Sequence, residues 1–249
     1  MELQDMLFSQ GFGTRRVCCG LVQQGLVQVG PERTPCDNPG AVFDERELLF
    51  HVQGQSWRYY ALAYLMLHKP AGFECSQKPA AYPSIYTLLP APLRRRGGAA
   101  AAGVQAVGRL DQDSTGLLLL SDDGAFIHRL TSPRHHVAKV YQVRLKHALD
   151  ERMISRLLQG VVLDDDPRPV RAAACQALAE NQMQLTLTEG KYHQVKRMLA
   201  AVGNRVEGLH RSSIGRVDLP ADLLPGQWRW LSAAEVAGLT QKMPAPAGC

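Results

Sequence analysis

No stretch of this chain approaches the roughly 18 consecutive apolar residues that a membrane-crossing helix requires. Its six cysteines, at positions 18, 19, 36, 75, 175 and 249, include no C-x-x-C pair. That argues against a zinc site or a thioredoxin-like motif, and reduced thiols in a cytoplasmic protein are expected. The opening Met1-Glu2-Leu3-Gln4-Asp5 lacks the basic start and apolar centre of a secretory signal. Neither a P-loop nor a dinucleotide fingerprint is present, so no nucleotide or redox cofactor is expected. No repeat stands out at solenoid periods. The adjacent His135 and His136 suggest a metal at first sight, but neighbouring strand residues point to opposite faces and no other ligands are grouped nearby. The acidic loop Asp164-Asp165-Asp166-Pro167 lacks the EF-hand pattern that calcium would need. No metal is expected.

What is present is a chain of 249 residues, 45% hydrophobic and 20% charged, compatible with a packed core in one large domain or a small and a medium one. A net charge of +5 and a pI near 9.0 suit an anionic partner such as RNA.

The most informative stretch is Gly108–Gly124, G-R-L-D-Q-D-S-T-G-L-L-L-L-S-D-D-G. It sets Asp111 in a polar loop before a short apolar run that reads as a buried strand. A carboxylate on so rigid a support suits chemistry, although from the pattern alone a loop aspartate satisfying backbone amides is the commoner reading. Ser121-Asp122-Asp123-Gly124 then reads as the start of a helix running to Thr131.

Elsewhere, Leu3, Leu7 and Phe8 have helical spacing, and Thr14 is a cap for a second helix opening with Arg15 and Arg16. Strands are expected at Leu26–Gly30 and 47–52, with a linker at Gln53–Arg58. Tyr60–Leu67 reads as a strand, Tyr82–Leu89 as a short helix, and Ala91–Gly103, with Arg94, Arg95 and Arg96, as a mobile basic loop. In Val137–Leu145, alternation places Val137, Lys139, Tyr141 and Val143 on one face. Glu151–Gln159 is an amphipathic helix burying Met153, Ile154, Leu157 and Leu158. Gln182–Thr188 is a strand with Met183, Leu185 and Leu187 inward. Val195, Met198, Leu199 and Val202 mark the buried stripe of a helix whose His193, Lys196 and Arg197 fall elsewhere.

Three of these stretches occur together in a known family. G-R-L-D followed by T-G-L-L-L-L, then S-P-R-H-H with K-x-Y, then E-G-K-Y-H-Q-V-K-R-M-L resemble the pseudouridine synthases, most closely the RsuA-type branch acting on ribosomal RNA. His68-Lys69-Pro70-Ala71-Gly72 is similar to that family's opening motif. Residues 1–52, two helices followed by short strands, resemble an S4-type RNA-binding domain, although Gly30-Pro31-Glu32 stands where such domains usually have Asn-Gly.

The resemblance implies an α+β protein: a partly degenerate S4-like domain with its linker at 1–58, a catalytic domain at 59–240 on a mainly antiparallel mixed sheet with flanking helices, and a disordered tail at 241–249. It implies isomerisation of one uridine in 16S ribosomal RNA, with no cofactor because atoms and oxidation state are conserved. Asp111 is the implied catalytic carboxylate, Lys196 the cation favouring its ionised form, and Tyr141 the ring that packs against the base. Arg15, Arg16, Lys69, Arg109, Arg134, His193 and Arg197 are the implied RNA contacts, mostly to phosphate. For Lys69, simple exposure beside a turn is the competing reading. A monomer is expected, on naked RNA or within an assembling small subunit. The alternatives are the sister activity on 23S RNA and a non-catalytic RNA-binding factor. A nucleoside glycosidase is more remote, since it needs paired carboxylates.

Overall fold

The computed structural model describes residues 1–46, 48–97 and 103–240. The tail expected at 241–249 and part of the loop expected at 91–103 lie outside the described residues. Two units are present, one comprising 1–64, 86–105 and 120–123 and the other 65–85, 106–119 and 124–249. The first therefore takes in two later segments besides the 1–58 stretch.

In the first unit, α1 (Leu3–Ser9) and α2 (Arg15–Gln23) accompany a four-stranded antiparallel sheet. Its strands are β1 (Val27–Val29), β2 (Thr34–Pro35), β3 (Leu49–Val52) and β4 (Gln55–Arg58), in the order β2-β1-β3-β4. Thr14 caps α2 by accepting from the Val17 N–H, which satisfies one of the helix's free donors. Leu3, Leu7, Val22, Val27 and Phe50 form the core. The linker expected at 53–58 is instead a hairpin. Gln53 and Gly54 both have positive φ, 52° and 81°, the condition for the two-residue turn that matches strand twist, and β4 returns along β3.

The basic loop expected at 91–103 is also corrected. Residues Ala91–Arg94 form a short helix, α3, and Arg96 is buried. Its guanidinium donates to Asp122 Oδ2 at 2.7 Å, Gln10 Oε1 at 2.6 Å and the Tyr60 carbonyl at 2.6 Å. Asp122 also accepts from the Ala63 N–H at 2.6 Å. Asp122 is thus committed to Arg96, and the helix expected after Ser121-Asp122-Asp123-Gly124 begins at Gly124 and ends at Thr131.

The second unit is built on a mixed, mainly antiparallel sheet, the α+β architecture expected. Its strands are β5 (Tyr64–Lys69), β6 (Gln105–Ala106), β7 (Thr115–Ser121), β8 (Lys139–Leu145), β11 (Ala174–Ala179), β12 (Gln182–Leu187), β13 (Val206–Ile214), β14 (Val217–Asp218) and β15 (Trp228–Trp230). The order is β11-β12-β8-β13-β7-β5-β15, with β14 on β13 and β6 on β7. Strand β13 runs antiparallel to β8 and parallel to β7. A separate hairpin holds β9 (Val161–Leu163) and β10 (Asp166–Val170).

The helices are α4 (Gly124–Thr131), α5 (Glu151–Gln159), α6 (Gln194–Ala201) and α7 (Ala233–Thr240). On α6, Val195, Met198, Leu199 and then Val202 are buried in the core cluster that also holds Met183, Leu185 and Leu187 of β12. Each such side chain contributes roughly 1.5–3 kcal/mol on leaving water, so this stripe fixes which way α6 faces. On α5, Leu157 is buried but Leu158 is exposed, because the apolar stripe is one residue wide at that turn. The helix expected at 82–89 is only a 3-10 turn, Ile85–Leu88. Pro83 biases the residue before it away from helical dihedrals.

Candidate active site

Asp111 sits in the loop between β6 and β7, and the loop is held from beneath. Lys69, at the end of β5, is fully buried. Its ammonium donates to the carbonyls of Ser114 at 2.8 Å, Pro70 at 3.0 Å and Gln112 at 3.3 Å. The Gly72 N–H adds a bond to the Gln112 carbonyl, 2.7 Å. Burial pushes the Lys69 pKa down, opposed by the nearby charges of Cys75, Asp113 and Asp111. Neither reading of Lys69 from the sequence survives this geometry. It is not exposed and cannot meet a phosphate; it is a strut beneath the Asp111 loop.

The cations come from the far side of the sequence. Helix α6 is preceded by His193 at its N-cap, whose backbone is left-handed at φ 48°. The turn before it is hooked by Gln194, which accepts from the Lys191 N–H at 2.8 Å and donates to Glu189 at 2.9 Å. One turn along, Lys196 places its Nζ 3.2 Å from Asp111 Oδ2, and His193 Nε2 lies 3.4 Å from Asp111 Oδ1. Lys196 is bound more closely by Asp113, at 2.7 and 2.9 Å. Burial opposes its charge, but hydrogen bonds to Asp113 and Asp111 hold its pKa above the ordinary lysine value. Likewise burial raises the Asp113 carboxyl, and the bonds and charge of Lys196 more than offset that and hold it low.

These groups open on a cavity of about 690 Å³, lined also by Arg109, Tyr141, Lys139 and Arg211. Tyr141 is buried on β8 with its ring in the core cluster, and it shares a sheet face with Lys139 two residues earlier. Burial, reinforced by the charge of Arg211, pushes the Lys139 pKa down to about 8. Cys75, behind the loop, has its thiol pushed up by burial. Tyr192 is exposed at the rim with its ring stacked on His193, centroids 3.8 Å apart.

Of the residues singled out in the sequence, Asp111, Tyr141, Lys196, His193 and Arg109 line this cavity. Arg197 does not line it and instead pairs with Asp165 and donates to the Tyr192 carbonyl. Arg134 is exposed in the 3-10 turn Pro133–His135 and does not line the cavity. In the first unit, Arg15 pairs with Asp5 and lies over the Phe8 ring, whereas Arg16 is exposed. Sequence reasoning missed Asp113, Lys139 and Arg211 as site residues. The first two stand two positions from a selected residue, a usable signal in extended chain. Arg211 has no such signal, because its burial depends on strands far away in sequence.

Comparison with known proteins gives a consistent picture. A family model described as RNA pseudouridylate synthase matches residues 63–201. The ribosomal small subunit pseudouridine synthase A of Haemophilus influenzae is 39% identical over 222 residues, covering 89% of this chain and 86% of that protein. Its counterpart from Escherichia coli K12 is 42% identical over 176 residues, 71% of this chain and 73% of that one. A solved structure described as a pseudouridylate synthase is similar with a TM-score of 0.67 and 33% identity, covering 96% of this chain and all of that one.

Proposed function

The chain belongs to the RNA pseudouridylate synthase family, and from that premise we propose that it isomerises one uridine of 16S ribosomal RNA, with Asp111 as the catalytic carboxylate. The substrate class follows the named activity of its small-subunit relatives. The observation that carries the residue assignment is Asp111 facing a cavity with Lys196 3.2 Å from its carboxylate.

The uridine swings out of its stack into the cavity, at a cost of a few kcal/mol, and its base packs on Tyr141. The N1–C1′ bond breaks with its electron pair passing to N1. Asp111 either bonds to C1′ or removes the 2′ proton; both routes use a fixed carboxylate beside a cation. The uracil turns and C5 bonds to C1′ as Asp111 either leaves C1′ or returns the proton to C2′; the C5 proton then leaves and N1 gains a proton. Lys196, His193 and Asp113 orient the carboxylate, and Arg109 at the rim meets phosphate. In the first unit, residues 1–58 act as an S4-like module that adds affinity through Arg16. The protein works as a cytoplasmic monomer.

The test is pseudouridine mapping of 16S and 23S RNA from cells carrying the wild-type protein or Asp111→Asn. The expected outcome is loss of one 16S site in the variant, with RNA binding retained. A lost 23S site overturns the substrate assignment. Wild-type modification by the variant removes Asp111 from its role, and absence of any site with the wild-type protein overturns the activity.

A further inference from the structure

Arg211 stands apart from every other charged group of the cavity. Only 2% of it is exposed, its Nε donates to the Leu117 carbonyl at 2.8 Å, and its Nη2 has no hydrogen-bond partner among the described residues. It forms no ion pair there, and neither does Lys139, whose ammonium donates only to the Val137 carbonyl at 3.0 Å. A buried arginine and a half-buried lysine thus share a cavity wall without a carboxylate of their own, since Asp111 and Asp113 are taken by Lys196 and His193. Burying a charge without an opposite partner is costly, and a site that retains one is prepared for an anion that arrives later.

Strand register says where that anion forms. Arg211 lies directly opposite Tyr141 across the β8–β13 ladder, so the two side chains share a sheet face. On its other side Arg211 is paired with Gly116 of β7. Gly116 has φ 106°, and a side chain there would collide with the Arg211 backbone. This closeness sets the arginine against the strand that follows the Asp111 loop.

We propose that the Arg211 guanidinium, assisted by the charge of Lys139, is a catalytic cation that binds a carbonyl oxygen of the uracil as its N1–C1′ bond breaks. The electron pair of that bond spreads from N1 to O2 and O4, and a fixed cation at the cavity wall stabilises the charge as it develops. Returning the pair to form C5–C1′ restores a neutral base, so no further reactant is consumed. The inference rests on the isomerase reading above and assigns stabilisation of the departing base to a different group from the carboxylate at the ribose.

The experiment measures single-turnover loss of the target nucleoside, at saturating enzyme, in an RNA fragment carrying either uridine or 5-fluorouridine at the mapped site. Fluorine makes the departing base a more stable anion and so less dependent on help. Arg211→Gln is expected to slow the uridine reaction by about 10²–10³-fold, the range for removing one preorganised donor. The slowing with 5-fluorouridine is expected to be at least about tenfold smaller, about 1.4 kcal/mol of the effect. Arg211→Lys, which keeps a charge, should fall between. The comparison is made within one variant, so partial misfolding cancels. Equal losses on both substrates, or complete loss on both by a variant that still melts cooperatively, overturn the proposal. An unchanged saturating rate with a higher half-saturating enzyme concentration does so too, by placing Arg211 against phosphate. Failure of the wild-type protein to form pseudouridine counts against the activity itself; an unchanged ratio in an active enzyme counts only against Arg211.

Discussion

Arg96 and Arg211 are each 2% exposed, yet their surroundings are opposites. In the first unit Arg96 has a carboxylate at 2.7 Å, an amide oxygen and the Tyr60 carbonyl at 2.6 Å, and the Ala61 carbonyl at 3.3 Å. In the second, Arg211 has one carbonyl and, among the described residues, an unpartnered Nη2. Burial by itself therefore says little about what a charged residue is for. A satisfied buried arginine is a fastener, because removing it strands its partners. An unsatisfied one works against the fold that holds it, and function is the reason to keep it.

That contrast is open to measurement. Arg96→Met should cost about 3–5 kcal/mol by urea unfolding, since it leaves the Asp122 charge without its partner. Arg211→Met strands a single carbonyl and relieves an unpaired charge, so its unfolding free energy should stay within about 1 kcal/mol of the parent while turnover collapses. Equal stability losses in the two variants would erase the distinction. Gly116→Ala should lie between, at about 1–3 kcal/mol of backbone strain, and should also slow turnover because the side chain pushes on Arg211. The smallest effect belongs to a third arginine, Arg229, which is partly exposed and grips Glu235 at 2.6 and 2.9 Å. Those bonds outweigh burial and hold the Glu235 carboxyl at about 2 instead of 4.5. A depressed carboxyl contributes stability that is fully present above pH 4.5 and is lost as pH falls through 2. Glu235→Gln should flatten thermal melts over that window and cost at most about 1 kcal/mol at neutral pH.

The same contrast marks how far the sequence can be read. Apolar periodicity located the buried faces of α6 and β12, and the Thr14 cap was legible, because each depends on residues within one or two turns. The Gln53–Gly54 hairpin was missed for want of an Asn-Gly or Asp-Gly signal. The roles of Lys69, Arg96, Arg197 and Arg211 were hidden for a deeper reason. A charged residue in sequence reads as exposed by default, and what overrides the default is a partner from another part of the chain: Asp122 for Arg96, the Gln112 and Ser114 carbonyls for Lys69. Asp111 was conspicuous through its motif, whereas the cations facing it across the cavity could be sorted into bound and unbound only from their contacts.

The bond from Arg211 to Leu117 joins residues 94 positions apart, through strands that pair in parallel. Closing so long a loop costs entropy before any contact repays it, and non-local strand pairing is the slow part of folding. In the early collapsed chain, the segment bearing Asp111 and the segment bearing Arg211 are still strangers. A nascent chain therefore carries a carboxylate without its cavity until β13 has been made and paired. Catalytic competence is expected only once β13 has paired, and substitutions in β13 should delay its appearance by no more, in free-energy terms, than they weaken the finished enzyme.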